Sequence, residues 1–145
     1  MRGKGQTEQA TQQLRALASS MGEGDGILIF PEGTRFTKRK QARLIERYRD
    51  DADAVARIQS FKQVLPPKLA GLQAIHQSVP DAAWVLMGHK GVDRATSFKE
   101  FAQGALTNAV IDMHIAPIDI DADRELGDQI DNAWHRLDDW IIDGK

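Results

Sequence analysis

Glu32, Gly33, Thr34 and Arg35 set a carboxylate, a flexible backbone position, a hydroxyl and a guanidinium in four consecutive places, directly after Phe30-Pro31. Arg35 carries a planar fork of five donors matched to a carboxylate or phosphate, and Thr34 adds a hydroxyl and a backbone N–H beside it. Gly33 lets the backbone pass close to a ligand or take a positive φ. An anion is the expected guest. Glu32 would repel that anion, so its expected work is to orient Arg35 or to accept a hydrogen bond from a substrate hydroxyl. The plain alternative is a surface turn with a Glu/Arg ion pair, worth at most about 1 kcal/mol.

Lys68 is a second cation of interest. Pro66-Pro67 stops the preceding segment, and residues 68 to 77 can restart as a helix with Pro67 tolerated at its first turn. Near a helix N-terminus the dipole and an ammonium attract the same negative charge, which makes Lys68 a candidate for a substrate phosphate. A surface lysine with its stem laid along apolar neighbours is the alternative. Lys38, Arg39 and Lys40, with Arg35 and Arg43, make five cations in nine residues. Such a cluster concentrates phosphorylated substrate or touches anionic headgroups, or is only a solvated helix start.

Other chemistries find less support. No cysteine is present, so there is no thiolate nucleophile, disulfide or cysteine zinc site, which suits a reducing compartment. No His/Asp/Glu group has metal-ligand spacing. Gly22 to Gly26 leads into an apolar run instead of opening a helix, so it is not a phosphate-binding loop. An α/β-hydrolase would need a Gly-x-Ser-x-Gly elbow, and none occurs. Of the 4 histidines, His76 and His114 each have an aspartate five positions on, Asp81 and Asp119, with Pro80 and Pro117 between. His89 follows a strand, and His135 is expected on the surface of the last helix.

These residues need elements to hold them. Leu14, Leu17 and Met21, with Ala10, predict an amphipathic helix over 7–21 capped by Thr7. Ile27-Leu28-Ile29 predicts a short buried strand that Pro31 ends. Residues 41 to 62 read as helix broken near Asp50 to Asp53, and 68 to 77 as a helix turning Leu69, Leu72 and Ile75 inward. A buried strand is expected over 82–87, a helix over 97–106 with Phe98, Phe101 and Ala105 on one side, and a strand over 109–115 ended by Pro117. In that strand Ala109, Ile111, Met113 and Ile115 alternate against Val110, Asp112 and His114, the wetter face. Residues 125 to 142 carry Leu126, Ile130, Trp134, Leu137 and Ile141 on one stripe and Asp128, Asp131, Asp138 and Asp139 on the other, a helix that docks on the sheet. The alternation of strands and helices gives an α/β fold, a mixed sheet flanked by helices.

The 145 residues make one domain's worth of chain, residues 1–145, with no internal repeat. A charge of -2 and a pI near 6.1 lack the basic character of a general nucleic-acid binder. No signal peptide and no apolar run of transmembrane length is visible, so the chain alone is expected to be soluble or peripheral.

Phe30-Pro31-Glu32-Gly33-Thr34-Arg35, followed by Phe36-Thr37, resembles the signature block of the glycerolipid acyltransferases, the 1-acylglycerol-3-phosphate acyltransferase family. Leu65-Pro66-Pro67-Lys68-Leu69-Ala70-Gly71 is similar to a second block of a bacterial and lysocardiolipin-like branch, and Met1 to Thr7 weakly resembles the segment ahead of the first. The resemblance implies transfer of a fatty acyl group from acyl-CoA or acyl carrier protein to a lysophospholipid, with no cofactor beyond the thioester. It implies Arg35 and Lys68 on the phosphate, with Glu32, Gly33 and Thr34 lining the glycerol site. The family's general base, the histidine of a His-x4-Asp motif, belongs well before the first block, where this chain has no histidine. The chain is therefore expected to be the C-terminal part of the acyltransferase domain, with the His/Asp dyad upstream of Met1. The full protein would work on the cytoplasmic face of a membrane. The alternative is a non-catalytic module that retains the anion site and docks phospholipid headgroups or a partner protein.

Overall fold

The computed structural model describes residues 4–91, 98–104 and 106–143. In chain order these form α1 (Lys4–Ser19), α2 (Lys38–Arg47), α3 (Ala52–Ser60), α4 (Leu69–Ser78), β1 (Trp84–Lys90), α5 (Phe98–Ala102), β2 (Asp112–Ile118) and α6 (Leu126–Asp143). The fold is mixed α/β. The sheet among the described residues is antiparallel and two-stranded, β1 beside β2, where a mixed sheet was expected.

Ile27 to Phe30 is not a strand, contrary to the reading of its apolar run. It pairs with neither strand, and its residues alternate: Ile29 reaches the core, whereas Leu28 and Phe30 are 71% and 77% exposed. A strand is a property of a pair, and three apolar residues in a row do not supply the partner. Gly71 of α4 makes room for this segment, because a side chain there would press on Leu14 of α1 and Ile29.

The helices follow their signals more closely. The break near Asp50 is real: α2 ends at Tyr48, and the Asp51 side chain caps α3 by accepting from the Ala54 N–H. α4 begins after Lys68, with Leu72 and Ile75 buried. α1 starts at Lys4, so Thr7 lies inside the helix and is not its cap. Of the expected 97–106 helix, Phe98–Ala102 is seen, and Ser97 and Ala105 lie outside the described residues.

The second strand is displaced and inverted. It runs through Pro117, which pairs with Val85 where termination was expected. Each strand of a two-stranded sheet is an edge strand, where a missing N–H is tolerated. The side expected to be apolar, Met113 and Ile115, is exposed, and the side of His114, Ala116 and Ile118 turns toward α6. What selects the covered face is α6. A Cβ on Gly88 would collide with Leu137, so the bare backbone of β1 admits the helix there, and His114 meets Trp140 at 5.1 Å between rings. Lys90 completes the junction, donating to the Trp140 carbonyl at 2.7 Å over the indole face. A cation near the helix C-terminus suits the dipole.

The core gathers Phe61, Val64, Leu72, Leu86, Ile118, Leu126, Ile130, Ala133, Trp134 and Leu137. No helix among the described residues is long and apolar enough to cross a membrane.

Candidate functional site

Pro31 fixes the first corner of a turn closed by the Gly33 N–H donating to the Phe30 carbonyl at 2.9 Å. Gly33 then takes φ 70°, the left-handed region where other residues are strained. Thr34 and Arg35 leave this turn exposed to solvent.

The loop before α4 lies against it. The Lys68 N–H donates to the Pro31 carbonyl at 3.0 Å, and the Lys68 ammonium stands over Gly33, close enough that any side chain at that position would meet it. Lys68 sits at the N-cap of α4 with no side-chain capping bond. The two segments singled out in the sequence, 33 residues apart between Glu32 and Leu65, are thus joined.

Glu32 has a different place from the one expected. Its carboxylate turns inward, and Oε2 accepts from the Leu65 N–H at 2.9 Å. It serves as a tie between the two loops. Burial raises its pKa above the ordinary 4.5, the Leu65 N–H and the neighbouring Trp134 side chain pull it back, and the nearby Asp138 charge adds to the rise. Trp134 Nε1 favours the charged form from nearby but falls short of hydrogen-bond geometry.

The folded carboxyl holds its proton to a higher pH than the unfolded one. Between 4.5 and the raised value the folded state binds more protons, so stability falls as pH rises through that window and levels off above it. Glu32→Gln keeps an acceptor for Leu65 and is expected to flatten this part of the profile. Urea denaturation from about pH 4 upward reads the difference; an unaltered slope would assign it to another carboxyl.

Behind Glu32, Asp138 of α6 is 2% exposed and takes three successive backbone donors, Lys62 N–H at 2.8 Å, Gln63 at 2.6 Å and Val64 at 3.0 Å. Two carboxylates therefore satisfy four consecutive N–H groups, 62 to 65, and set the approach to Pro66-Pro67-Lys68. Arg57 of α3 adds a third restraint, forking onto Asp131 of α6 at 2.5 and 2.6 Å while its Nη2 donates to the Pro67 carbonyl at 3.1 Å. Asp131 and Asp138 were read as part of a solvated acidic face. Each has instead a fixed partner on the loop or helix opposite.

Lys40, singled out in the sequence only as a member of the cation cluster, has a particular place beside the turn. Its ammonium donates to Thr34 Oγ1 and, at 2.9 Å, to the Arg35 carbonyl, bracing the exposed half of the turn. The signal was Thr37, which caps α2 through the Lys40 N–H at 3.2 Å. The third residue after such a cap projects back toward the chain before the helix.

The histidines stand apart from these loops. His135 is half-buried, stacked on Phe61 at 4.2 Å, where a surface position was expected. His76 meets Trp84 edge-on at 6.1 Å, and His89 is exposed on β1. A polar cleft of about 360 Å³ beside α6, lined by Asp119, Arg124, His135 and Arg136 among others, shares no residue with the turn or Lys68. Compared with family models, curated proteins and solved structures, the chain finds no match.

Proposed function

We propose that residues 31–35 and Lys68 form the phosphate and glycerol clamp of a glycerolipid acyltransferase, with acyl-CoA or acyl carrier protein as the acyl donor and a lysophospholipid as the acceptor. One observation carries the reading: Lys68, from the second block of the resemblance, stands over Gly33 of the first. The Lys68 ammonium borders this bare backbone at the N-terminus of α4, and Thr34 and Arg35 follow directly in the chain, residue types suited to a phosphate monoester. Glu32 holds the two loops together, and Lys40 orients Thr34 and the Arg35 backbone. The same clamp would serve a non-catalytic module that retains phospholipid headgroups. No histidine precedes the first block in these 145 residues, so the chain by itself is proposed to bind and not to transfer.

Titration calorimetry with a short-chain 1-acylglycerol-3-phosphate tests the clamp. A hydrogen bond to a charged group contributes about 1.5–3 kcal/mol, so Arg35→Ala and Lys68→Ala are each expected to weaken binding by roughly tenfold to a hundredfold. Unchanged affinity in both variants would remove the clamp. Incubation of the purified chain with labelled acyl-CoA and the same lipid separates the readings: no labelled diacyl product is expected, and its appearance would place a working base among these residues.

A further inference from the structure

α6 covers one face of the β1–β2 sheet, and the opposite face is open to solvent. Side chains alternate along a strand, so the register sets Val85, Met87 and His89 of β1 on this open face, across from Pro117, Ile115 and Met113 of β2. All six are exposed, and none carries a fixed charge.

Three of them stand close together. His89 lies directly across from Met113, and Met87 is two positions before His89 on the same strand. Opposite Cβ atoms are roughly 5 Å apart, two steps along a strand cover roughly 7 Å, and the diagonal from Met87 to Met113 is roughly 7–8 Å. Two thioethers and an imidazole therefore rise from the corners of one small triangle. Methionine turns about three side-chain bonds, which lets both sulfurs swing toward a point above the ring. The spacing of His, Asp and Glu along the sequence gives no such set, because Met113 arrives from the other strand.

The ligand types decide which ion fits. Thioethers select copper(I), imidazole suits copper as well, and the oxygen ligands that magnesium, calcium or manganese require are missing from this face. The chain has no cysteine, so no thiolate competes for a soft ion. His76, His114 and His135 lie against Trp84, Trp140 and Phe61. His89 has neither a ring contact nor a side-chain hydrogen bond among the described residues. An apolar face kept for another protein would account for Val85 and Ile115 and would give no part to the imidazole across from Met113.

We propose that Met87, His89 and Met113 form a three-coordinate site for a soft monovalent cation of the copper(I) class. The site shares no residue with the clamp of residues 31–35 and Lys68, and it stands or falls apart from the acyl-transfer reading.

The test is titration of the 145-residue chain, its methionine methyl groups labelled with carbon-13, with silver nitrate in chloride-free buffer. Silver(I) is an air-stable ion of the same charge and softness. The Met87 and Met113 methyl signals are expected to move together and to stop at one equivalent, while those of Met1 and Met21 stay in place. Competition with bicinchoninate then gives the copper(I) affinity. Loss of a residue that only supports a metal ligand costs about 10–100-fold, so Met87→Leu, Met113→Leu and His89→Gln, each removing a ligand, are expected to weaken binding by at least about tenfold. Circular dichroism of the variants is expected to match the parent, since all three side chains are exposed. Excess zinc nitrate is expected to leave the silver-shifted signals where they are. Full affinity in any one of the three variants, movement confined to Met1 or Met21, or displacement of silver by zinc overturns the proposal. So does a shift that never saturates, which would mean an adventitious ion only.

Discussion

Asp138→Ala is expected to lower folding stability by about 3–5 kcal/mol, a large part of what holds a domain of this size together. The carboxylate is 2% exposed and takes the N–H groups of Lys62, Gln63 and Val64. Removing it leaves three donors facing a methyl group, and each buried orphan costs about 1–3 kcal/mol. Water entering the vacated space recovers part of this, which keeps the total below the sum. Asp138→Asn separates charge from shape. Its one carbonyl oxygen can still accept from Gln63 and Val64, while its amide would face the Lys62 N–H donor to donor, so a smaller loss is expected. Urea midpoints at unchanged m-value give both figures. A loss under about 1 kcal/mol for the alanine variant would mean that the loop finds other acceptors, and its role as the frame of Lys68 would fail with it.

That framing role was hidden in the sequence, and the reason is instructive. Asp138 follows Leu137 on a helix whose apolar stripe was read correctly, with Leu126, Ile130, Trp134 and Leu137 all buried. Helical period assigns a residue to a side, but not the backbone donors that a distant loop will bring to it. Glu32 shows the same limit. Its type and place marked it as part of a site, and its partner, Leu65 N–H, became visible only once the two loops met. Side-chain pattern carries no record of backbone donors. Lys68 was legible from its place at the start of the 68–77 helix, and the fold sets its ammonium at Gly33.

The sheet was misread for a related reason. Period two sorts β2 into two faces, Met113 and Ile115 against His114, Ala116 and Ile118, and hydropathy favoured the first for burial. The covered face was decided instead by a glycine on the other strand. Gly88 lets Leu137 approach, and Trp140 then lies on His114, so a helix docks against the less apolar side and Ile115 stays 63% exposed. The helix boundaries were more legible because their causes are local: Asp51 caps α3, and Pro66-Pro67 separates α3 from α4.

Phe61→Ala is expected to cost about 3–5 kcal/mol, the range for emptying a core aromatic site. Phe61 is fully buried and stacks flat on His135, with ring planes 6° apart. Its carbonyl accepts from Gln41, which fastens α2 to the end of α3, and its backbone begins the loop that Asp138 holds. Phe61→Leu keeps most of the volume and should cost well under half as much, so the pair of variants measures packing apart from the loop. The two residues act on one structure, and their effects should not add. Once Asp138 is gone, residues 62 to 65 are already loosened and part of the contact around Phe61 is lost with them. The double variant Phe61→Ala/Asp138→Ala is therefore expected to fall short of the sum of its singles by about 1 kcal/mol or more. Full additivity in a double-mutant cycle would show that the core and the carboxylate-held loop are independent. In that case Lys68 would owe its position to Arg57, Pro31 and the Glu32 tie, and Arg57→Ala, which frees the Pro67 carbonyl, would be a substitution that moves it.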